Sequence, residues 1–172
     1  MKWRLFPSFE HCEAADLLVF PFWEEGREAA ELSSFKKWLE PLLKTGDFKG
    51  KQGETLLHYG GDGSRLLLLG LGKRASISVE LLRRSFAAAV RAARVRSAKR
   101  VHFVFPEIEN LELNEVLRAL FEGVFLANYA FVRLKGEASR KEHPAALIEQ
   151  VGLVGLAEDD AKRLKTWEEI CT

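Results

Sequence analysis

Short apolar runs alternate along this chain with longer stretches in which apolar residues recur every three or four positions, the pattern of strands interleaved with helices. The clearest run is 65–72, Arg-Leu-Leu-Leu-Leu-Gly-Leu-Gly. Its consecutive leucines predict a strand buried on both faces, and the Gly-Leu-Gly predicts a tight turn leading into a helix. Further strands are predicted at 3–6, at 16–22 (an acid, then Leu-Leu-Val-Phe-Pro-Phe, ended by Pro21), at 54–59, at 101–105 and at 146–156. The glycine-rich 60–63 predicts a hairpin between 54–59 and 65–71.

Helices are predicted between these strands. One covers 28–44, with Leu32, Phe35, Leu39, Leu42 and Leu43 at helical spacing and Pro41 disturbing its last turns. Ser78 is a good N-cap for a second over 79–97, whose buried stripe is Leu82, Phe86, Ala89, Val90 and Ala93. A third starts at or just before Asn114 and carries Val116, Leu117, Leu120, Phe121, Val124, Phe125 and Tyr129; the polar 135–143 is a loop. Ala157, Ala161, Leu164, Trp167 and Cys171 form the stripe of a last helix, which reaches Thr172 with no glycine cap, basic last turn or proline. A natural chain can end in this way, as can one cut inside a longer protein; the cut is the expectation. Strands alternating with helices, plus one hairpin, imply an α/β domain of three layers, α/β/α, around a mixed sheet.

Composition narrows the class. With 172 residues, 47% of them hydrophobic and 30% charged, the chain fits one soluble globular domain with a core of its own. No apolar run approaches a membrane span and the N-terminus lacks a signal peptide's layout. Cys12 and Cys171 stand near opposite ends, which suggests no disulfide framework and points to a reducing cytoplasm. The net charge of +1 argues against nucleic-acid binding as a main task. Residues 81–100 nevertheless lack any acid and carry Arg83, Arg84, Arg91, Arg94, Arg96, Lys99 and Arg100. They read as a solvated helix face, with a phosphate or nucleic-acid contact as the alternative.

Chemistry-bearing constellations are sparse. His11, His58, His102 and His143 are far apart, with no second ligand at helical spacing and no paired cysteines. His58 and His102 fall in strands and read as structural. Cys12 beside His11 is a weak nucleophile pair, since neighbours on an extended chain point to opposite faces. A two-metal hydrolase needs converging carboxylates. Asp16 starts a strand, Asp47 and Asp62 fit turns, and Asp159 and Asp160 fit a helix's first turn. Gly70 and Gly72, followed by Lys73 and Arg74, and the Lys49-Gly50-Lys51 turn are the loops that could offer N–H groups to a phosphate; geometry-setting glycine is the simpler reading of both. No catalytic, cofactor-binding or metal-binding residue is assigned in this chain.

Several of these segments in their order resemble the N-terminal domain of the leucyl (cytosol) aminopeptidase family. They are the acid-led strand from Asp16, the Phe-Lys-Gly-Lys-Gln-Gly-Glu of 48–54, the Leu-Leu-Gly-Leu-Gly-Lys of 68–73, the Ser-Val-Glu-Leu-Leu-Arg-Arg-Ser of 78–85, and the Glu-Gly-Val-Phe-Leu-Ala-Asn-Tyr-Ala-Phe of 122–131. Val132 departs from the family, where an aspartate is common. The resemblance implies a macro-domain-like N-terminal domain over 1–156, with 157–172 starting a helical linker to a catalytic domain. It implies that the full-length enzyme is a metal-dependent aminopeptidase that releases N-terminal amino acids from peptides with two divalent metals, zinc or manganese. The family's Asn-Thr-Asp-Ala-Glu-Gly-Arg-Leu segment, which carries metal-binding and catalytic residues, has no counterpart here. The fragment is therefore expected to be non-catalytic and without a cofactor of its own. Its implied partners are its own catalytic domain and further copies in a cytoplasmic hexamer, in which it would help assembly and active-site access; no membrane is implied. In some bacterial members the domain also contributes to DNA binding. Trp3, Trp23 and Trp167 are candidate exposed contact residues. The alternative is a stand-alone macro-like domain binding ADP-ribose or another nucleotide, with Asp16 where such domains often place an adenine-contacting aspartate.

Overall fold

The computed structural model describes residues 1–26, 39–40, 43–60, 63–106, 108–129, 147–156 and 160–170. Among them, β1 (Lys2–Phe6), β2 (Leu17–Trp23), β3 (Thr55–Tyr59), β4 (Arg65–Gly72), β5 (Arg100–Val104) and β6 (Gln150–Val154) form one sheet in the order β1-β6-β5-β2-β4-β3. Every neighbouring pair is parallel except β3–β4, the expected antiparallel hairpin. The main described helices are α1 (Val79–Val95), α2 (Leu113–Asn128) and α3 (Ala161–Ile170).

Alternation along the central strands sorts the core into two layers. Leu67, Leu69 and Leu71 of β4, with Leu17, Val19, Val101, Phe103, Val151 and Leu153, face α1, α2 and Leu164 of α3. Leu66 and Leu68 join Phe20, Phe22 and Val104 on the opposite face, where Phe48 and the helical Leu39 cover them. The four leucines are thus buried on both faces, and the domain is a three-layer α/β/α with a mixed sheet. Most of the helix expected at 28–44 lies outside the described residues; 39–40 and 43–44 are helical.

Three boundaries differ from expectation for identifiable reasons. Pro21 does not end β2 but sits inside it, opposite Leu69. The pairing of β2 with β5 stops at Val19 opposite Phe103, so Pro21 occupies an edge-like stretch where a missing N–H is tolerated. Gly70 and Gly72 do not form a turn; they continue β4, which runs to Gly72. The last strand is shorter than 146–156 because Asn128 takes both backbone groups of Ile148. Its Oδ1 accepts from the Ile148 N–H at 2.8 Å and its Nδ2 donates to the Ile148 carbonyl at 2.9 Å.

Helix ends follow their local chemistry. Ser78 Oγ accepts from the Leu81 N–H at 3.3 Å, as expected of an N-cap. α1 stops at Val95 because Ser97 takes a left-handed conformation (φ 53°), with its N–H on the Arg94 carbonyl and the Ala98 N–H on that of Ala93. That pair of bonds closes the helix as a Schellman motif with serine where glycine is usual.

The indole of Trp3 stacks on Phe121 with ring centroids 3.8 Å apart, and Trp23 is buried under the Arg74 guanidinium, 4.9 Å from the ring centroid. Trp167 packs against the core beside Leu164. These tryptophans serve the fold, contrary to their expected exposure, because each lies on the core-facing register of its element.

Candidate functional site

The two loops that could cradle an anion lie against each other. Gly50 and Gly70 are so close that a Cβ on Gly70 would stand 1.9 Å from the Lys51 carbonyl oxygen and one on Gly50 2.5 Å from that of Trp23. The Gly72 N–H donates to the Gly50 carbonyl at 2.9 Å and the Gly53 N–H to that of Gly70 at 2.9 Å. Glycine is required here by contact, and the resulting nest of N–H groups binds carboxylates. Both carboxylates come from this chain. Glu54 Oε2 accepts from the Lys49 and Lys51 N–H groups at 3.0 Å each, and the Glu25 carboxylate accepts from the Arg74 N–H at 3.2 and 3.3 Å.

Six of the seven basic residues of 81–100 are likewise engaged internally. Arg83 bridges Glu80 and, at 2.8 Å, Glu122; Arg84 bonds Glu80 at 2.7 Å. Arg118 reaches Glu122 at 2.8 Å within α2, so Glu122, held from its own helix and bound to Arg83 of α1, ties the two helices together. The Arg118 bond, followed by that of Arg83, outweighs partial burial and holds the Glu122 carboxyl below its ordinary value. Arg94 caps the Ala127 carbonyl at 2.7 Å, Arg96 the Ala92 carbonyl at 2.8 Å, and Lys99 pairs with Glu149 at 2.8 Å. Next to Glu122, Gly123 lets α2 approach α1: a Cβ there would lie 2.6 Å from the Arg83 carbonyl oxygen.

Asp16 is committed to the sheet. Its Oδ2 accepts from the Lys99 and Arg100 N–H groups at 3.0 and 2.9 Å, and Oδ1 from Arg100 Nη2 at 3.0 Å. Partial burial would raise this carboxyl, but the Arg100 and Lys99 donors outweigh it and hold it below its ordinary value. Such a carboxylate has little left to offer an adenine ring.

The remaining candidates do not converge. His11 Nδ1 lies 2.8 Å from Ser8 Oγ, Asp47 is in a bend, and Asp160 faces Arg163 at 3.7 Å. His58 is in β3 at the sheet edge. His143, Asp62 and Asp159 lie outside the described residues. Among the described residues no group of three or more His, Cys, Asp or Glu side chains could hold a metal ion.

One pair was invisible to sequence spacing. Cys12 Sγ lies 2.9 Å from His102 Nδ1, across 90 positions of chain. Burial, then the neighbouring Glu13, pushes the thiol up to about 11, and burial pushes the imidazole down. Both groups are therefore neutral, the opposite of a thiolate–imidazolium nucleophile.

The model of the cytosol aminopeptidase family's N-terminal domain matches residues 19–138. The chain belongs to the cytosol aminopeptidase family. It is 33% identical over 159 residues to a probable cytosol aminopeptidase of Protochlamydia amoebophila, covering 90% of this chain and 32% of that protein. It is 37% identical over 137 residues to one of Thermosynechococcus vestitus, covering 77% of this chain and 27% of that protein. The chain thus spans about a third of the curated relatives it matches, and it corresponds to their N-terminal domain. Its fold matches that of a tomato leucine aminopeptidase mutant with a TM-score of 0.76 at 22% identity, over 99% of this chain and 36% of that one. It also matches the bottromycin maturation enzyme BotP with a TM-score of 0.64 at 22% identity, over 92% of this chain and 31% of that one.

In the family's terms, the similar segments map to packing. The Lys-Gly-Lys-Gln-Gly-Glu turn and the Gly-Leu-Gly strand end lock together, and the Glu-Gly pair joins α1 to α2.

Proposed function

We propose that this chain is the non-catalytic N-terminal domain of a cytoplasmic leucyl aminopeptidase and acts within the whole enzyme as an assembly and access module. The observation that carries this reading is the use to which its carboxylates are put: Glu25, Glu54, Asp16 and Glu122 all accept internal hydrogen bonds. The described residues do not fit a two-metal centre, which supports assigning the zinc or manganese expected of the enzyme, and release of N-terminal amino acids, to a C-terminal catalytic domain. The similarly folded bottromycin maturation enzyme BotP is known in complex with manganese, which supports a divalent metal in that domain. We assign 1–156 to the domain proper and 157–172 to the start of the connection to the catalytic domain, whose partners would be further copies in a hexamer.

The test compares the full-length protein with one lacking residues 1–172, by sedimentation and by peptidase assay with manganese or zinc. The expected result is smaller assemblies and altered substrate access for the shortened protein, with its metal centre still active. A full-sized hexamer with unchanged kinetics would contradict the assembly and access roles.

A further inference from the structure

His102 sits in β5 between Leu18 of β2 and Gly152 of β6 and is fully buried. Its ring is confined on the β6 side. A Cβ on Gly152 would stand 2.5 Å from His102 Cδ2 and 2.8 Å from Phe6 Cε2, so glycine at 152 is what admits the imidazole and the Phe6 ring, 4.9 Å apart. Nδ1 faces the Cys12 thiol, whereas Nε2 is buried with no hydrogen-bond partner. A buried polar atom without a partner costs free energy and calls for an explanation. Cys12 belongs to the connection between β1 and β2, and this contact ties that connection to the middle of the sheet.

We propose that Cys12 and His102 form an acid-sensitive latch: the neutral imidazole holds the 8–15 connection on the sheet, and protonation of His102 releases it. With Nδ1 accepting from the thiol, the neutral ring already carries its single N–H at Nε2; protonation adds a second at Nδ1, facing a thiol that is a donor and only a weak acceptor, and places a charge where the ring is fully buried. The thiol does not relieve this conflict by ionising, since it stays protonated far above neutral pH. The charged and titratable groups around the ring are Glu13 and Cys12 on the connection, Asp16 before β2, and Arg100 on β5. Arg4 of β1 lies in the same row, opposite Gly152. Burial lowers the imidazole's affinity for a proton most; Glu13 and Asp16 oppose that, and Arg100 adds to it. The sign follows: the latch is fully closed above the ordinary histidine value near 6.5 and opens as pH falls towards the lowered value of the folded state.

The experiment measures the reaction of Cys12 with 4,4′-dithiodipyridine between pH 7.5 and 4.5 in the Cys171→Ser chain, normalised to glutathione at each pH. The normalised rate is expected to rise about tenfold per pH unit between the open-state and folded-state histidine values, as one-proton linkage requires. In Cys171→Ser with His102→Gln the rise should vanish. Should that variant not fold, Glu13→Gln decides: removing the carboxylate should move the midpoint of the rise to lower pH. A flat normalised rate in the parent, an undiminished rise in His102→Gln, or a midpoint unmoved by Glu13→Gln would overturn the latch.

Discussion

Asp16 grips Arg100 by backbone and side chain at once: Oδ2 accepts its N–H at 2.9 Å and Oδ1 its Nη2 at 3.0 Å. With the Asp16 N–H donating to the Arg100 carbonyl at 2.8 Å, the two residues register the start of β2 against β5. Arg65 adds to the junction by donating to the Asp16 carbonyl at 2.6 Å and the Arg96 carbonyl at 3.1 Å. The entry into the sheet's centre is therefore set by a carboxylate.

Asp16→Asn should lower the unfolding free energy at pH 7 by about 2 kcal/mol, the scale of hydrogen bonds to a charged group. Because the folded carboxyl lies below its ordinary value, its stabilisation is present above the unfolded value near 4 and is lost as pH falls through the folded one. Urea titrations of both proteins should thus differ at pH 7 and converge in acid. A constant difference at every pH would show that charge is not what matters.

Gly123→Ala tests the approach of α2 to α1. Alanine improves helix propensity by about 1 kcal/mol, but its Cβ would press on the Arg83 carbonyl at 2.6 Å, an overpacking cost of roughly 1–3 kcal/mol. Backbone cannot swing aside as a side chain can, so a net loss of about 1 kcal/mol is expected in chemical denaturation. A stabilised variant would mean that the helices stand further apart.

How much of this was legible beforehand depends on the range of each interaction. Local signals worked: the Leu66–Leu69 run, the hairpin after Tyr59, the Ser78 cap and the α1 stripe all stand as expected. Long-range ones did not. Gly70 and Gly72 look like a turn in sequence, yet they are strand residues thinned so that 50–53 can cross them. The partner of Cys12 is His102, not its neighbour His11, because the sheet closes a distance that spacing does not reveal. The basic stretch 81–100 is acid-free in sequence, but Glu122 reaches Arg83, Glu149 reaches Lys99 and Asp16 reaches Arg100 in space.

Ser97→Gly should stabilise the domain by about 1 kcal/mol, since a left-handed serine carries a backbone penalty that glycine does not. Thermal unfolding would register it as a higher midpoint, with Ser97→Ala no better than the parent. An unchanged midpoint for Ser97→Gly would mean that the Schellman closure is not under strain.

Under the proposed function, these residues carry none of the aminopeptidase chemistry themselves. The most direct measurement is release of chromophore from a leucine anilide by the purified 172-residue chain, with zinc, with manganese and with a chelator. No release above the buffer rate under any of these conditions is the predicted result. Metal-dependent release that the chelator abolishes would contradict it.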